Sequence, residues 1–365
     1  MDRQPGGSAQ IATARRRAGR SKNTAEAPIT GRDVRFAGAA GLLTGTLQLP
    51  PEGESPWASL VFLHGSGPQD RDQNNPSAPL NVFNTLAADL AQAGIASLRY
   101  DKRGIGESSG DALAASIDDF AADAAQAVRF VRRTHETVGL PIFLLGHSEG
   151  ATIALMLAGR DAQVAGVVLL CPTITPMEEV IRRQAAGVQA AIDILPAQQR
   201  QQMGIPDGFD QRQATEEMIA AIRNSPPGQA AIQFMGQPVP ARWFRSHFDL
   251  DHAAILSQVH CPLLAVGGAK DTQLPPRDAE AIAAAVRAAS GEEVDAVGLT
   301  LPDLTHVLRR SSGNGGMQEY AELVGRPVDE GLRRLILEWL HRHRPGEEAP
   351  EAGPRDPGEP APTTT

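Results

Sequence analysis

A serine in this chain stands at a spacing that suits nucleophilic catalysis. Gly146 and Gly150 flank Ser148 in the sequence G-H-S-E-G, which follows the apolar run 142–146 and precedes the helix-forming run ATIALMLAG. Glycines at those two positions allow a sharp turn with close backbone packing, and the turn lifts the serine oxygen above a sheet. A structural turn with an incidental serine is the alternative, but the strand–turn–helix context makes the pattern far more specific. We therefore predict that Ser148 is a nucleophile.

A serine hydroxyl is a weak nucleophile, so it needs a base, and an acid must orient that base. Where a G-x-S-x-G turn carries the nucleophile, chain order runs serine, acid, histidine. Of the nine histidines, His306 in LPDLTHVL comes just after the last strand-like run. His341 and His343 come later, but they flank Arg342 at the end of a helical stretch, which indicates a solvated face. His306 is the predicted base, and a structural histidine there is the alternative.

The acid is expected in the loop after the strand-like run 262–268. Asp271 lies there, in GGAKDTQLPP, whereas the run 164–171 is followed by CPTIT, which has no carboxylate. Asp271 is therefore the predicted acid, and a plain surface aspartate is the alternative. Asp303 is the next candidate if Asp271 fails.

A tetrahedral intermediate needs backbone N–H donors for its oxyanion. One donor in a site of this type is the residue after the nucleophile, here Glu149, and the second comes from the loop after an earlier strand. The sequence His64-Gly65-Ser66-Gly67-Pro68 follows the run LVFL, and its glycines allow close backbone approach. We predict Ser66 as the second donor, with Gly67 as the alternate.

Substrate contacts are predicted from an aromatic cluster in a chain whose aromatic content is only 4%. Trp243, Phe244 and Phe248 suit an acyl pocket, and anchoring a cap on the core is an equal alternative. Two acidic pairs in the same interval could instead hold a substrate ammonium, although a solvated helix face is their ordinary interpretation. These pairs are Glu178–Glu179 and Glu216–Glu217.

The elements that must position these residues alternate along the chain. Short, almost continuously apolar runs predict strands that are covered on both faces, as in a parallel sheet. Amphipathic stretches between most of them predict helices, and such alternation predicts a doubly wound α/β sheet. The strand runs are 60–63, 95–100, 142–146, 164–171, 262–268 and 294–301, with an antiparallel entry hairpin within 33–49; the helical stretches are 82–93, 117–133, 149–158, 276–289 and 328–341.

One interval breaks this alternation. Residues 172–250 contain polar-rich helical stretches and no buried-strand run, and such a length exceeds an ordinary loop. We predict a helical cap there, inserted before the penultimate strand and dividing the core into 32–171 and 251–344. Residues 1–31 are predicted to be a disordered basic extension, and residues 345–365 a disordered, acidic, Pro-rich tail.

Composition narrows the partners and cofactors. A net charge of −9 argues against nucleic acid or an anionic membrane as the main partner, although the N-terminal arginines leave a basic arm as an alternative. No apolar stretch approaches the ~20 residues that span a bilayer, and no secretory signal pattern is present, so a cytoplasmic location is expected. Two cysteines make a disulfide framework improbable. No metal-site motif appears, and the glycines near Gly104 fail the dinucleotide fingerprint because Ser109 takes the third position.

At this point the chain resembles the α/β-hydrolase superfamily, from about Val34 to His341. The motifs HGSGPQDRD, DKRGIGES, GHSEG, GGAKDTQLPP and LTHV resemble a bacterial branch of carboxylesterases that is related to serine-aminopeptidase-like hydrolases. The resemblance implies an α/β-hydrolase fold with a helical cap, a Ser148–Asp271–His306 triad, an oxyanion hole at Ser66 and Glu149, and no cofactor. The two terminal segments depart from the family pattern.

The expected function is hydrolysis of a small-molecule ester through an acyl-enzyme. A serine aminopeptidase or amidase, or a thioesterase, of the same architecture is the main alternative. A non-catalytic binding protein that kept the fold is a lesser one, since such proteins usually lose a triad member and this chain has a candidate for each. The sequence specifies no oligomeric state.

Overall fold

The strands form one large sheet and one small hairpin. A computed structural model describes residues 31–75, 78–291 and 293–346. The strands in these ranges are β1 (Gly31–Gly38), β2 (Gly41–Gln48), β3 (Ala58–Leu63), β4 (Ile95–Tyr100), β5 (Ile142–His147), β6 (Val164–Leu170), β7 (Ile232–Phe234), β8 (Gln237–Val239), β9 (Leu263–Gly268) and β10 (Ala296–Leu301).

Helices fill most of the intervals between the strands. They are α1 (Val82–Gln92), α2 (Ile117–Arg133), α3 (Glu149–Arg160), α4 (Met177–Asp193), α5 (Ala197–Gln202), α6 (Gln211–Asn224), α7 (Ala241–Phe248), α8 (His252–Leu256), α9 (Asp278–Ser290), α10 (Tyr320–Leu323) and α11 (Glu330–Arg342), with a 3-10 turn at Met317–Glu319.

The large sheet has eight strands in the order β1-β2-β4-β3-β5-β6-β9-β10. β1 pairs with β2, and β2 with β4, in antiparallel fashion, while every pair from β4 to β10 is parallel. The predicted entry hairpin is therefore present at one edge. This arrangement confirms the predicted mostly parallel, doubly wound α/β-hydrolase fold, in which the carboxyl ends of β3, β5, β6 and β9 open onto the same side.

Helices cover both faces of the sheet, so its central strands are buried throughout. Helix α2 shows how the sequence sets such an element. Ser116 and Asp119 close a capping box at its start, and its apolar positions recur at helical spacing and pack on the sheet. Leu98, Leu144 and Val167 contribute to the core on one face, and Phe62 and Trp339 to the core on the other.

A helical cap occupies the chain between β6 and β9, before the penultimate strand. It contains α4 to α7 and the small hairpin β7–β8, whose three-residue strands pair only with each other. The sequence did not predict this hairpin, because neither strand carries a buried apolar run. Helix α7 brings the cap back to the core, where the Ser246 hydroxyl accepts a hydrogen bond of 3.1 Å from the backbone N–H of Ile117.

The terminal segments fall largely outside the described residues. The predicted disordered segments 1–31 and 345–365 share only residues 31, 345 and 346 with the described ranges. Their disorder, and the boundaries at residues 172 and 250, stay predictions. In the described ranges, every helix is too short or too polar to cross a bilayer.

Candidate active site

Ser148 occupies a sharp turn between β5 and α3. Its backbone angles are φ 55° and ψ −118°, and its N–H donates to the Leu170 carbonyl at 2.9 Å. The flanking glycines are required by contact: a Cβ on Gly146 would lie 2.1 Å from the Gly150 carbonyl oxygen, and one on Gly150 would lie 2.0 Å from the Leu63 carbonyl oxygen. The two glycines thus let the backbone at Leu63, Gly146 and Gly150 pack closely beneath the serine.

Asp271 and His306 are hydrogen-bonded to each other. His306 Nδ1 and Asp271 Oδ2 are 2.8 Å apart, and the other carboxylate oxygen accepts the backbone N–H groups of Gln273 and Leu274 at 2.8 and 2.9 Å. Burial alone would raise the pKa of Asp271, but the interaction with His306 and these hydrogen bonds outweigh it and lower the pKa. The carboxylate is therefore ionised, and Nδ1 of His306 must carry a proton.

This hydrogen bond leaves Nε2 of His306 as the nitrogen that can accept a proton. In the described residues, no hydrogen bond joins the Ser148 hydroxyl to His306, and such bonds often tighten only when substrate binds. The alternative acid, Asp303, is half exposed and pairs with Lys270 at 2.8 Å. Of the two carboxylates, Asp271 is the one that contacts the histidine.

The two predicted oxyanion donors face the same cavity. Ser66, in the loop after β3, and Glu149, the first residue of α3, both line it together with Ser148. Across the described ranges, neither backbone N–H has an acceptor, so both are available to a ligand. Gly67, the alternate donor, has φ 88° and is not part of the cavity wall.

Charged residues order the loop that carries Ser66. The charged residues of the run 69–72 each contact a neighbouring segment or the backbone of this loop. The Arg71 backbone N–H and guanidinium both donate to the buried Asp101 carboxylate, at 2.8 Å each. Asp72 pairs with the buried Arg99, and Asp70 accepts the backbone N–H groups of Asp72 and Asn74.

A buried ion pair lies directly under the turn. Lys102 Nζ donates to Glu149 Oε1 at 3.0 Å and to the Gly65 carbonyl at 2.9 Å. Burial would raise the pKa of Glu149, but the Lys102 ammonium and a weaker contribution from His247 outweigh it and lower the pKa to about 2. Sequence reasoning assigned only the backbone of Glu149 and gave Lys102 no role, because nothing in the sequence pairs two residues 47 positions apart.

His147 is a second residue beside the site to which the sequence assigned no role. Its Nε2 lies 2.9 Å from the His306 carbonyl oxygen, and its Nδ1 contacts the amide nitrogen of Gln73. Burial lowers the pKa of His147 to about 3, so the ring is neutral. A neutral ring that donates from Nε2 and accepts at Nδ1 holds the backbone of the predicted base in place.

One cluster of potential metal ligands exists in the described residues, and its donors are otherwise engaged. Ligand atoms of His147, Cys171 and His306 lie within 4.8 Å of one another. Both ring nitrogens of His147 are hydrogen-bonded, and Asp271 holds one nitrogen of His306. Burial raises the pKa of the Cys171 thiol well above its usual range. A neutral thiol and engaged imidazoles suit proton transfer better than cation binding.

A cavity of about 190 Å³ lies between the turn and the cap. Two of the three residues predicted to contact substrate, Trp243 and Phe244 on α7, are part of its wall. Phe248 is not: it lies one turn further along α7, where it packs on Phe244 and under the Arg223 guanidinium. The apolar wall residues are Met177, Val180, Ile181, Trp243, Phe244, Leu250 and Leu274, and the polar ones include Ser66, Ser148, Glu149, Thr152, Thr173 and Thr175.

Comparison with known proteins finds a matching family model and several similar proteins. A family model described as serine aminopeptidase, S33, matches residues 78–296, which is more than half of the chain. The chain is similar to esterase EstD of Thermotoga maritima, at 26% identity over 309 residues that cover 85% of this chain and 67% of that protein. It is also similar to a monoglyceride lipase homolog of Monkeypox virus, at 31% identity over 38% of this chain and 46% of that one.

Among solved structures, an esterase of Pyrococcus furiosus, Pf2001, has a similar fold. The TM-score is 0.54 at 15% identity, over 86% of this chain and 91% of that chain. Such a likeness reports the fold alone. The sequence relatives and the matched family model carry the information about chemistry.

Proposed function

The chain belongs to the serine aminopeptidase S33 family of α/β hydrolases, and from this premise we propose that it cleaves small-molecule carboxylic esters through an acyl-enzyme. Ser148 is the nucleophile, His306 the base and Asp271 the acid that orients it. The observation that carries the proposal is the buried 2.8 Å contact between Asp271 and His306 beside the serine turn. A fold kept only for binding would have no need of that pair.

The reaction needs only groups of this chain and water. Ser148 Oγ bonds to the ester carbonyl carbon while its proton passes to His306 Nε2, and Asp271 stabilises the imidazolium that forms. The backbone N–H groups of Ser66 and Glu149 hold the oxyanion. The carbon–oxygen bond to the alcohol then breaks as His306 returns the proton to the leaving oxygen. Water repeats the sequence and releases the acid and the free serine.

The cavity favours an ester over a peptide with a free amino terminus. A site for a substrate ammonium usually supplies a fixed counter-charge. In the described residues, Glu149 is the one carboxylate of the cavity wall, and Lys102 already neutralises it. The four acidic residues that could have served are outside that wall; Glu178 pairs with Arg223 at 2.8 Å, and Glu216 with Arg182 at 2.7 Å.

Labelling with a fluorophosphonate probe tests the nucleophile. We expect the wild-type protein to be labelled and Ser148→Ala to lose both the label and ester turnover, on the order of 10³-fold or more. Full labelling of folded Ser148→Ala protein would refute the assignment, and an unlabelled, inactive wild-type protein would favour a binding role.

A substrate panel tests the reaction class. We expect turnover of short and medium acyl nitrophenyl esters and little cleavage of aminoacyl anilides. Efficient anilide cleavage with poor ester turnover would establish the peptidase alternative instead. Preference for acyl thioesters over the matched oxygen esters would establish the thioesterase.

A further inference from the structure

We infer that the Glu149 side chain is a positioning residue that holds the oxyanion loop and the cap in one arrangement. The inference rests on the proposed function, because it concerns the rate of the same reaction. It assigns the side chain a role separate from the backbone N–H of the same residue. The joint consists of Glu149, Lys102, Trp243 and His247. Its members come from three parts of the fold: Glu149 from α3, Lys102 from the loop after β4, and the other two from α7.

The carboxylate is the acceptor for donors from both sides of the site. Oε1 accepts from Lys102 Nζ at 3.0 Å, and Oε2 accepts from the Trp243 indole N–H at 2.6 Å. His247 Nε2 lies 3.5 Å from the same Oε2. A carboxylate offers two acceptor oxygens, whereas an amide of the same shape offers one oxygen and one NH₂ group. Glutamine at this position therefore cannot serve both Lys102 and Trp243.

On the core side, the joint reaches the oxyanion loop. Lys102 Nζ also donates to the Gly65 carbonyl at 2.9 Å, and Gly65 precedes the predicted donor Ser66. The orientation of the Ser66 N–H thus depends on the peptide that Lys102 holds. Glu149 itself follows Ser148 directly, so a shift of its side chain is transmitted to the second donor. An oxyanion donor acts only when it lies at about 3 Å from the developing charge, so small shifts here change the rate.

On the cap side, the joint fixes helix α7. Trp243 and His247 lie one helical turn apart on α7, and His247 Nδ1 donates to the Trp243 carbonyl at 2.8 Å. Trp243 is also a wall residue of the cavity. The hydrogen bond to Glu149 therefore ties the acyl side of the cavity to the residue that supplies an oxyanion donor.

Fold stability alone does not account for such a cluster. Lys102 and Glu149 are both nearly fully buried, with side-chain exposures of 5% and 2%. A well-packed apolar pair of similar volume is often as stable as a buried ion pair, because desolvation offsets the Coulomb attraction. What an apolar pair cannot do is fix the direction of the Gly65 carbonyl and of the Trp243 indole at the same time.

The test compares Glu149→Gln, Trp243→Phe and the double variant on an acetyl ester, which is too short to fill the cavity. We expect Glu149→Gln to lower kcat about ten- to a hundredfold with a much smaller change in KM. The inhibition constant of an alkyl boronic acid, whose tetrahedral adduct uses the oxyanion donors, should rise by the same factor. Trp243→Phe should lower kcat by a smaller factor and should add nothing in the Glu149→Gln background, as expected for members of one unit.

Matched controls separate positioning from stability. Trp57→Phe removes an indole hydrogen bond of 2.9 Å to the Ala93 carbonyl, far from the cavity, and Glu179→Gln makes the same change on the exposed face of α4. Both should keep wild-type kcat and KM. Trp243→Phe leaves the Lys102–Glu149 pair intact and therefore tests the joint even if Glu149→Gln does not fold.

Two results would overturn the inference while the proposed function stands: wild-type kcat in labelled Glu149→Gln protein, or effects of the two substitutions that multiply independently. An unlabelled and inactive wild-type protein would instead remove the proposed function, and the inference with it.

Discussion

At the scale of single residues, a substitution of Asp271 tests how much the orientation of the His306 imidazole contributes to the rate, because the histidine itself stays in place. Asp271→Asn keeps the size of the side chain but favours the wrong tautomer of the imidazole. We expect kcat to fall by as much as about 10⁴-fold, with a folded protein and a KM near that of the wild type. Steady-state kinetics measure kcat and KM, and circular dichroism shows whether the variant is folded.

Asp303→Asn is the matched control, because Asp303 follows β10, is half exposed and pairs with Lys270. Its kcat should equal that of the wild type. If Asp303→Asn lost activity while Asp271→Asn kept it, the acid would be Asp303, and the hydrogen bond seen at His306 would be structural.

The sequence predicted the candidate residues of this site from a rule of topology. Ser148 and Asp271 each follow a parallel strand, and the carboxyl ends of such strands meet at one edge of the sheet. Chain order then selected His306. The rule says nothing of His147, whose partner at residue 306 is 159 positions away, or of the Lys102–Glu149 pair. Such contacts depend on how loops pack, which no local pattern encodes.

At the scale of elements, helix α7 contributes Trp243 and Phe244 to the cavity wall, where the acyl chain of the proposed ester substrate would lie. Phe244→Ala removes a ring from that wall. We expect KM to rise more for longer acyl chains than for acetyl esters. The preference for longer chains, measured as the ratio of kcat/KM values, should fall by ~1–3 kcal/mol. Phe248→Ala, one turn away on the same helix and outside the wall, should leave the dependence on chain length unchanged. Equal effects of both substitutions would show that α7 acts through stability only.

The same helix shows a limit of spacing arguments. Phe244 and Phe248 are four residues apart and share a face of α7, and the sequence predicts that both contact substrate together with Trp243. The helix ends at Phe248, however, and Arg223 from α6 covers that ring at 4.8 Å. Periodicity indicates which residues share a face, but not how far along the helix a neighbouring cavity extends.

At the scale of the whole molecule, buried histidines couple the fold to pH. Burial lowers the pKa of both His64 and His147 from 6.5 to about 3. Below about pH 6.5 the unfolded chain binds these two protons and the folded chain does not, so the free energy of unfolding should fall as the pH drops from 6.5 toward 3. Above pH 6.5 both states are neutral and the contribution is complete. Glu149, whose pKa is lowered from 4.5 to about 2, adds to the loss below pH 4.5.

Urea unfolding at pH 7.5, 6, 5 and 4.5 measures this dependence. Each histidine contributes at most about 1.4 kcal/mol per pH unit. His64→Asn should reduce the slope by about one proton relative to the wild type. Equal unfolding free energies at pH 7.5 and pH 5 would contradict the neutral, buried state of both rings.

The backbone of Ser148 has a consequence for how this protein could change over time. A residue with a side chain rarely adopts φ 55° and ψ −118°, whereas glycine does so at little cost. Glycine at this position should therefore give a higher melting temperature than alanine, although both substitutions remove the hydroxyl of the proposed nucleophile. A lineage selected for persistence alone would drift toward glycine here and become inert. If Ser148 is the nucleophile, its backbone strain is a loss of stability that only the reaction requires.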